Sequence, residues 1–274
     1  MIVILGLLAI PLVIIVVAPL TLARGNWRVR HPAAAIRLWV SAFLLGSASL
    51  LGSVVSAVIV VIAHTGTEWF GGFGVTVTSL FVWSGLGAGG ALAALAVTRA
   101  EPITEAQKTT EMAAILLAAR ARYRVESIGR HHITYIRDDR LVACCTPDGR
   151  ILISSGIEET LPAHQVRAIV EHERSHLRRG HARVIQLARL NAACFPFLAC
   201  AREFERTIQL LSELAADDDA ARLCGPASVC NALGTLGNHT GDHGMLLRAE
   251  RLAAFPVVGH ATRRRLADVS IIIR

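Results

Sequence analysis

The stretch VEHERSHLRRGH, Val170 to His181, places a glutamate between two histidines that stand four residues apart. A helix is expected here from about Pro162, with proline in its first turn, to Gly180. On its wheel, Val166, Ile169, Val170 and Leu177 share one apolar face. Glu173 falls in the middle of that face and His172 and His176 lie along its edge, while Arg167, Glu171, Arg174 and Arg178 point the other way. A carboxylate inside a core-facing stripe is costly unless a partner or a cation compensates it. His172, Glu173 and His176 form HExxH. That spacing offers two imidazoles to one zinc ion from successive helical turns and holds a glutamate beside the water to be activated.

Three protein ligands and an open fourth position make a catalytic zinc site, so a third ligand is required. It is sought in EFERTIQLLSELAADDDAARLCG, a second expected helix that Gly225 ends. Glu213 and Asp217 stand there at i and i+4, a like-charge spacing that weakens a helix if uncompensated. The difficulty disappears if Glu213 is a metal ligand and Asp217 accepts the other ring N–H of a ligand histidine. Asp218 and Asp219 are expected on a solvated acidic face.

Composition divides the chain at about residue 100. Before it nearly every residue is apolar or small; after it arginine, glutamate and aspartate recur at globular density. Three apolar runs, at about 2–23, 38–63 and 75–97, are long enough to cross a bilayer, which takes roughly 20 residues. The first lacks a positive n-region and a small-residue cleavage site, and it is expected to be a permanent span. Arg24, Arg28, Arg30 and Arg37 follow that span, whereas HTGTEWFGGFG, between the second and third, has no arginine or lysine. Basic residues accumulate on the cytoplasmic side, so the amino terminus is expected outside and residues 101–274 in the cytoplasm. Trp39 and Trp69 suit either interfacial anchoring or packing.

The net charge of +7 comes from arginine, with Lys108 the only lysine. No helix-turn-helix, zinc-finger or aromatic-basic pattern accompanies it, so a basic face on anionic lipid is expected and direct nucleic-acid binding is not. The six cysteines, all after residue 100, lack CxxC spacing and read as small core residues in a reducing compartment. A separate helix is expected from about Thr104. HHITYIRDD, LVACCTPDG and ILISSG then read as short strands broken at Asp-Asp, Pro-Asp-Gly and Ser-Ser-Gly turns. ILISSGI is either an ordinary sheet strand or an edge on which a substrate peptide pairs. VIQLARLNAACFPFLACA, with Arg189 and Asn191 inside it, is a poor span and reads as a buried or membrane-dipping helix.

EHERSHLRRGH, followed by Phe195-Pro196-Phe197 and ELAADDDA, resembles the BlaR/MecR-type membrane zinc metallopeptidases. The resemblance covers the three spans and about residues 150–223. It implies a cytoplasmic α+β zincin-like domain behind a helical transmembrane region, related in fold to the HtpX-type and prenyl-protein peptidases. One Zn2+ on His172, His176 and Glu213, with Glu173 as catalytic base, is implied at the matching positions. The best-known members carry a fourth span and an extracellular penicillin-binding sensor, which this sequence does not show.

The function expected is hydrolysis of peptide bonds at the membrane's cytoplasmic side, in regulatory cleavage of a cytoplasmic protein such as a winged-helix repressor, or of itself. An HtpX-like quality-control peptidase, or a receptor or scaffold with a vestigial metal site, are the alternatives. An oxyanion donor is also needed, and His181, His243, His260 and Arg263 to Arg265 are candidates that sequence does not rank.

Overall fold

Alternation of β-branched and aromatic residues with turn residues between positions 122 and 154 builds a four-stranded sheet, and everything that positions the motif rests on it. The structure is a computed structural model that describes residues 25–64, 72–146 and 148–254, together with residues 6, 9, 10, 13, 14, 17, 21 and 22. Most of the first apolar run, the loop carrying Trp69, His260 and Arg263 to Arg265 lie outside the described residues.

Two units are distinguished. The first comprises residues 1–104 and 184–209, the second residues 105–183 and 210–274. Residues 184–209 thus fall in the first unit, whereas sequence composition grouped them with the water-facing domain.

The first unit holds α1 (Trp27–Arg30), α2 (Pro32–His64), the start of α3 (Gly72–Ala121), most of α6 (His181–Cys194) and the start of α7 (Ala199–Cys224). Among the described residues one helix, Pro32–Ser56 within α2, is long and apolar enough to cross a membrane. Its outer face exposes Leu38, Leu44, Leu45, Leu51 and Val55. Trp39 is buried and packs on Phe204 with ring centroids 5.5 Å apart, a packing residue and not an interfacial anchor. The third apolar run lies within α3, where Leu80, Trp83 and Val97 are exposed.

Helix α3 also corrects the expected helix start at Thr104. It runs without a break through Pro102 to Ala121. The Thr104 hydroxyl donates to the Glu101 carbonyl at 2.8 Å, acting inside the helix and not as a cap.

The second unit contains β1 (Arg122–Ile128), β2 (His131–Ile136), β3 (Ala143–Cys145) and β4 (Ile151–Ser154), in spatial order β1-β2-β4-β3. Strands β1 and β2 form an antiparallel hairpin, β2 and β4 pair in parallel, and β3 and β4 pair antiparallel. Strand β1 begins where the sequence still reads as helix. It is exposed along most of its length, and the Arg124 guanidinium sits 3.6 Å over the Tyr135 ring. The ILIS segment is the fully buried β4, paired on both sides, so it is an interior strand and offers no edge to a peptide.

Ser-Ser-Gly is a helix start instead of a turn. Ser154 caps α4 (Ser155–Thr160), and a Cβ on Gly156 would stand 2.3 Å from the Asp139 carbonyl oxygen, so only glycine fits.

Helix α5 (Ala163–Arg179) lies against the sheet. Val166, Ile169 and Val170 join Ile133, Tyr135, Ile151 and Ile153 in one core. Its apolar face is the one that the helical period marks, and each buried aliphatic side chain contributes about 1.5–3 kcal/mol. Helices α8 (Pro226–Thr240) and α9 (His243–Ala254) close the unit, with Leu233 and the fully buried Leu252 packed on Ala168, Ala220 and Ala221.

Candidate metal centre

Successive turns of α5 carry His172 and His176 to one point. Their Nε2 atoms stand 3.1 Å apart, and α7 brings Glu213 to 3.5 Å from each. One donor atom from each of the three lies within 4.8 Å of the others, a spacing that one metal ion can bridge. Glu173, the next residue on α5, is partly buried.

Behind each histidine stands an orienting partner. The Nδ1 of His172 donates to Asp217, fully buried, at 2.9 Å, which leaves Nε2 to face the cluster. The Nδ1 of His176 meets the Nδ1 of His181 at 3.0 Å. Gly180 makes this second contact possible. At φ 64° its N–H bonds the carbonyls of His176 and Leu177, ending α5 immediately before His181. His181 is therefore a buried neighbour of a candidate ligand, with its Nδ1 engaged. His243, another candidate oxyanion donor, is exposed at the first position of α9.

Arg248 of α9 is the principal feature that sequence reading missed. Its Nε and Nη2 grip both oxygens of Asp217 at 2.8 and 2.7 Å, and Nη1 reaches Glu213 at 2.8 Å. An arginine on a helix 31 positions after Asp217 carries no spacing signal; only the packing of α9 reveals it. Cys145 was also missed. From strand β3 its thiol lies 3.0 Å from the Glu173 carbonyl and 3.2 Å from Oε2.

The charges are mutually arranged. Burial disfavours the charged form of His172, but hydrogen bonds to Asp217 and Glu213 outweigh it and raise its pKa to about 9. Burial and the neighbouring His172 charge lower His176, and burial with His176 beside it brings His181 down to about 3, so His181 is neutral. Partial burial would favour neutral Glu213, yet the His172 hydrogen bond and Arg248 hold it at about 2. Asp217 stays well below the carboxylate range for the same reasons, against its burial. Burial, reinforced by Glu173, pushes the Cys145 thiol far up, so it is a neutral donor.

Asp218 and Asp219 do not lie on a solvated face; both are buried. Asp218 pairs with Arg251. Asp219 accepts from Ser175 at 2.6 Å and Arg179 at 2.7 and 2.8 Å, and pairs with Arg178 and Arg222. Glu171, expected outward, is also buried and takes both of its bonds from Arg174 at 3.2 Å. The three consecutive aspartates diverge round α7 because successive residues turn by 100°, and each meets a different arginine.

Two carboxylates, Glu213 and Asp217, face the Arg248 guanidinium, and two imidazole nitrogens converge with Glu213. This donor set fits a divalent cation that accepts nitrogen and oxygen ligands.

Residues 105–214 match the model of peptidase family M48. The matched segment runs from the end of α3 through the sheet and both halves of HExxH to one residue beyond Glu213. It supports a zincin-type metallopeptidase and a metallopeptidase hydrolase activity. No curated protein and no solved structure matches the chain.

Proposed function

We propose that the protein is a membrane-anchored zinc endopeptidase whose ligands are His172, His176 and Glu213 and whose general base is Glu173. The observation that carries the reading is the convergence of those three ligand atoms within 4.8 Å inside the segment that matches the M48 family. A structural metal site is a closed shell of four protein ligands. Among the described residues only three ligands group here, which favours catalysis over a scaffold role.

Zinc at this position would supply a Lewis acid that acidifies water and polarises the scissile carbonyl. Glu173 accepts the proton of the attacking water and passes it to the leaving amine. Cys145 occupies Oε2 and leaves Oε1 for that transfer. Asp217 and His181 hold the two imidazoles in the orientation that points Nε2 inward. Strand β3 pairs only with β4 among the described residues, and Cys145 at its end is beside Glu173. An extended peptide adding to that edge would bring its carbonyl to the base.

Arg24, Arg28, Arg30 and Arg37 after the first apolar run support a cytoplasmic catalytic unit behind three spans. On that topology the substrate is a cytoplasmic protein, and regulatory cleavage of a repressor of the BlaR/MecR kind is preferred to HtpX-like quality control. All three apolar runs precede the motif.

The test is Glu173→Gln in the purified full chain, with zinc content and cleavage of a candidate repressor and of an unfolded membrane protein both measured. Zinc retained with all cleavage lost is expected. Cleavage at the parental rate would refute the mechanism, and preference for the unfolded protein would select quality control.

A further inference from the structure

The first unit contains a cavity of about 370 Å³, within the range of small-molecule sites. One face of α2 forms its floor. Ala42, Gly46 and Ser47 are small there, while Trp39, Phe43 and Phe204 form walls. Phe204 stacks on Phe43 at 5.7 Å and 10°, so the aromatic walls brace one another. Leu50, Leu92 and Leu198, each partly exposed, stand at its edge. From Trp39 to Leu50 the trough follows α2 for about 16 Å at 1.5 Å per residue.

Two observations describe the occupant. Trp39 is 5% exposed, and its indole N–H is buried with no hydrogen-bond partner among the described residues. A buried donor of this kind calls for an acceptor. Among the lining residues, Asn191 is the larger polar side chain and Ser47 the smaller; the rest are apolar apart from Trp39. The Trp39 end of the trough is also the basic end of α2, with Arg37 two residues before it; Arg28 of α1 is paired with Glu203 at 3.9 Å.

We infer that this cavity binds the acyl chain of an anionic single-chain amphiphile, with the carboxylate end toward Trp39 and the tail running toward Leu50. The charge of the basic end matches the head group, the length of the trough matches a chain, and the orphan N–H matches an oxygen acceptor. This site is separate from the metal centre and does not depend on the peptidase reading.

The experiment uses the full chain in detergent and a palmitate analogue bearing a diazirine in its tail. After irradiation, cross-linked peptides are mapped by mass spectrometry. Saturable labelling of residues 39–50 and 195–204, displaced by palmitate better than by hexadecanol, is expected. Ala42→Trp should cut labelling by about tenfold, since an indole fills the hollow. Trp39→Phe keeps the ring and removes the donor, and should weaken binding about fivefold, the worth of one hydrogen bond. Leu44→Trp, on the exposed face, should change nothing. Non-saturable labelling spread over Leu44, Leu51 and Leu80 would mean general lipid contact and overturn the inference. If Ala42→Trp does not fold, unchanged saturable binding by Trp39→Phe overturns the assigned pose, and equal displacement by hexadecanol overturns the anionic head group.

Discussion

Replacing Arg248 with methionine is the sharpest probe of the metal centre's support. The substitution keeps most of the side-chain volume and removes every donor. Asp217, fully buried, would lose its bonds at 2.7 and 2.8 Å and retain only His172. Removing one partner of a buried ion pair costs about 3–5 kcal/mol, because the remaining charge is left uncompensated. The Glu213 contact adds little, since that side chain is 39% exposed and water screens it. At roughly 2–4 °C per kcal/mol for a chain of this size, the metal-free variant should melt about 6–20 °C below the parent. The assay is thermal unfolding of the full chain by circular dichroism, with chelator and then with zinc. Zinc supplies positive charge beside both carboxylates, so the deficit should shrink when it is bound. Arg248→Met with Asp217→Asn should recover most of the loss, as coupled neighbours do. A metal-free deficit under about 2 °C, or a double variant no better than the single, would refute the claim that Arg248 neutralises a buried carboxylate.

Four further outcomes are expected. Asp217→Asn should weaken zinc binding about 10–100-fold, measured by competition with a fluorescent chelator, because the acceptor that orients His172 is lost. Zinc affinity should rise with pH up to about 9, by about tenfold per unit, since the metal displaces the proton that Asp217 and Glu213 retain on His172. In metal-free protein the same raised pKa contributes stability that is complete below the unfolded value of about 6.5 and is lost as pH rises through about 9. Asp219 behaves oppositely. Although burial pushes it up, Arg179 and Ser175 hold its carboxyl well below the ordinary value, so its contribution is present above about pH 4 and fades as pH falls toward the folded value. Asp219→Asn should therefore flatten the acid limb of a stability profile between about pH 4 and 2, and an unchanged limb would contradict that role.

Much of the candidate metal centre is legible because it is local. HExxH lies on one helix, and the period of that helix alone sets both histidines on one side of Glu173. Glu213 and Asp217 announced themselves by an otherwise unfavourable i,i+4 repulsion. The same reasoning failed for Asp218 and Asp219, because a charged run looks solvated until its partners are known. Those partners, Arg251 for one and Arg178, Arg179 and Arg222 for the other, lie up to 41 residues away. Strand β1 went unseen since its exposed, arginine-containing sequence continues the preceding helical pattern. Its pairing with β2 is a tertiary choice.

By itself, the sequence determined the helical spacing of the two histidines and the glutamate, the i,i+4 spacing of Glu213 and Asp217, and the apolar character of the first hundred residues. These follow from covalent order and a fixed helical period. Tertiary structure alone decided which strand is the sheet edge beside Glu173, which arginine neutralises Asp217, and that His181 backs His176. It also decided that Trp39 borders a cavity with its N–H unanswered. Each of these depends on bringing together residues far apart in the chain, and hydrophobic packing, which has no sequence spacing, is the force that does so.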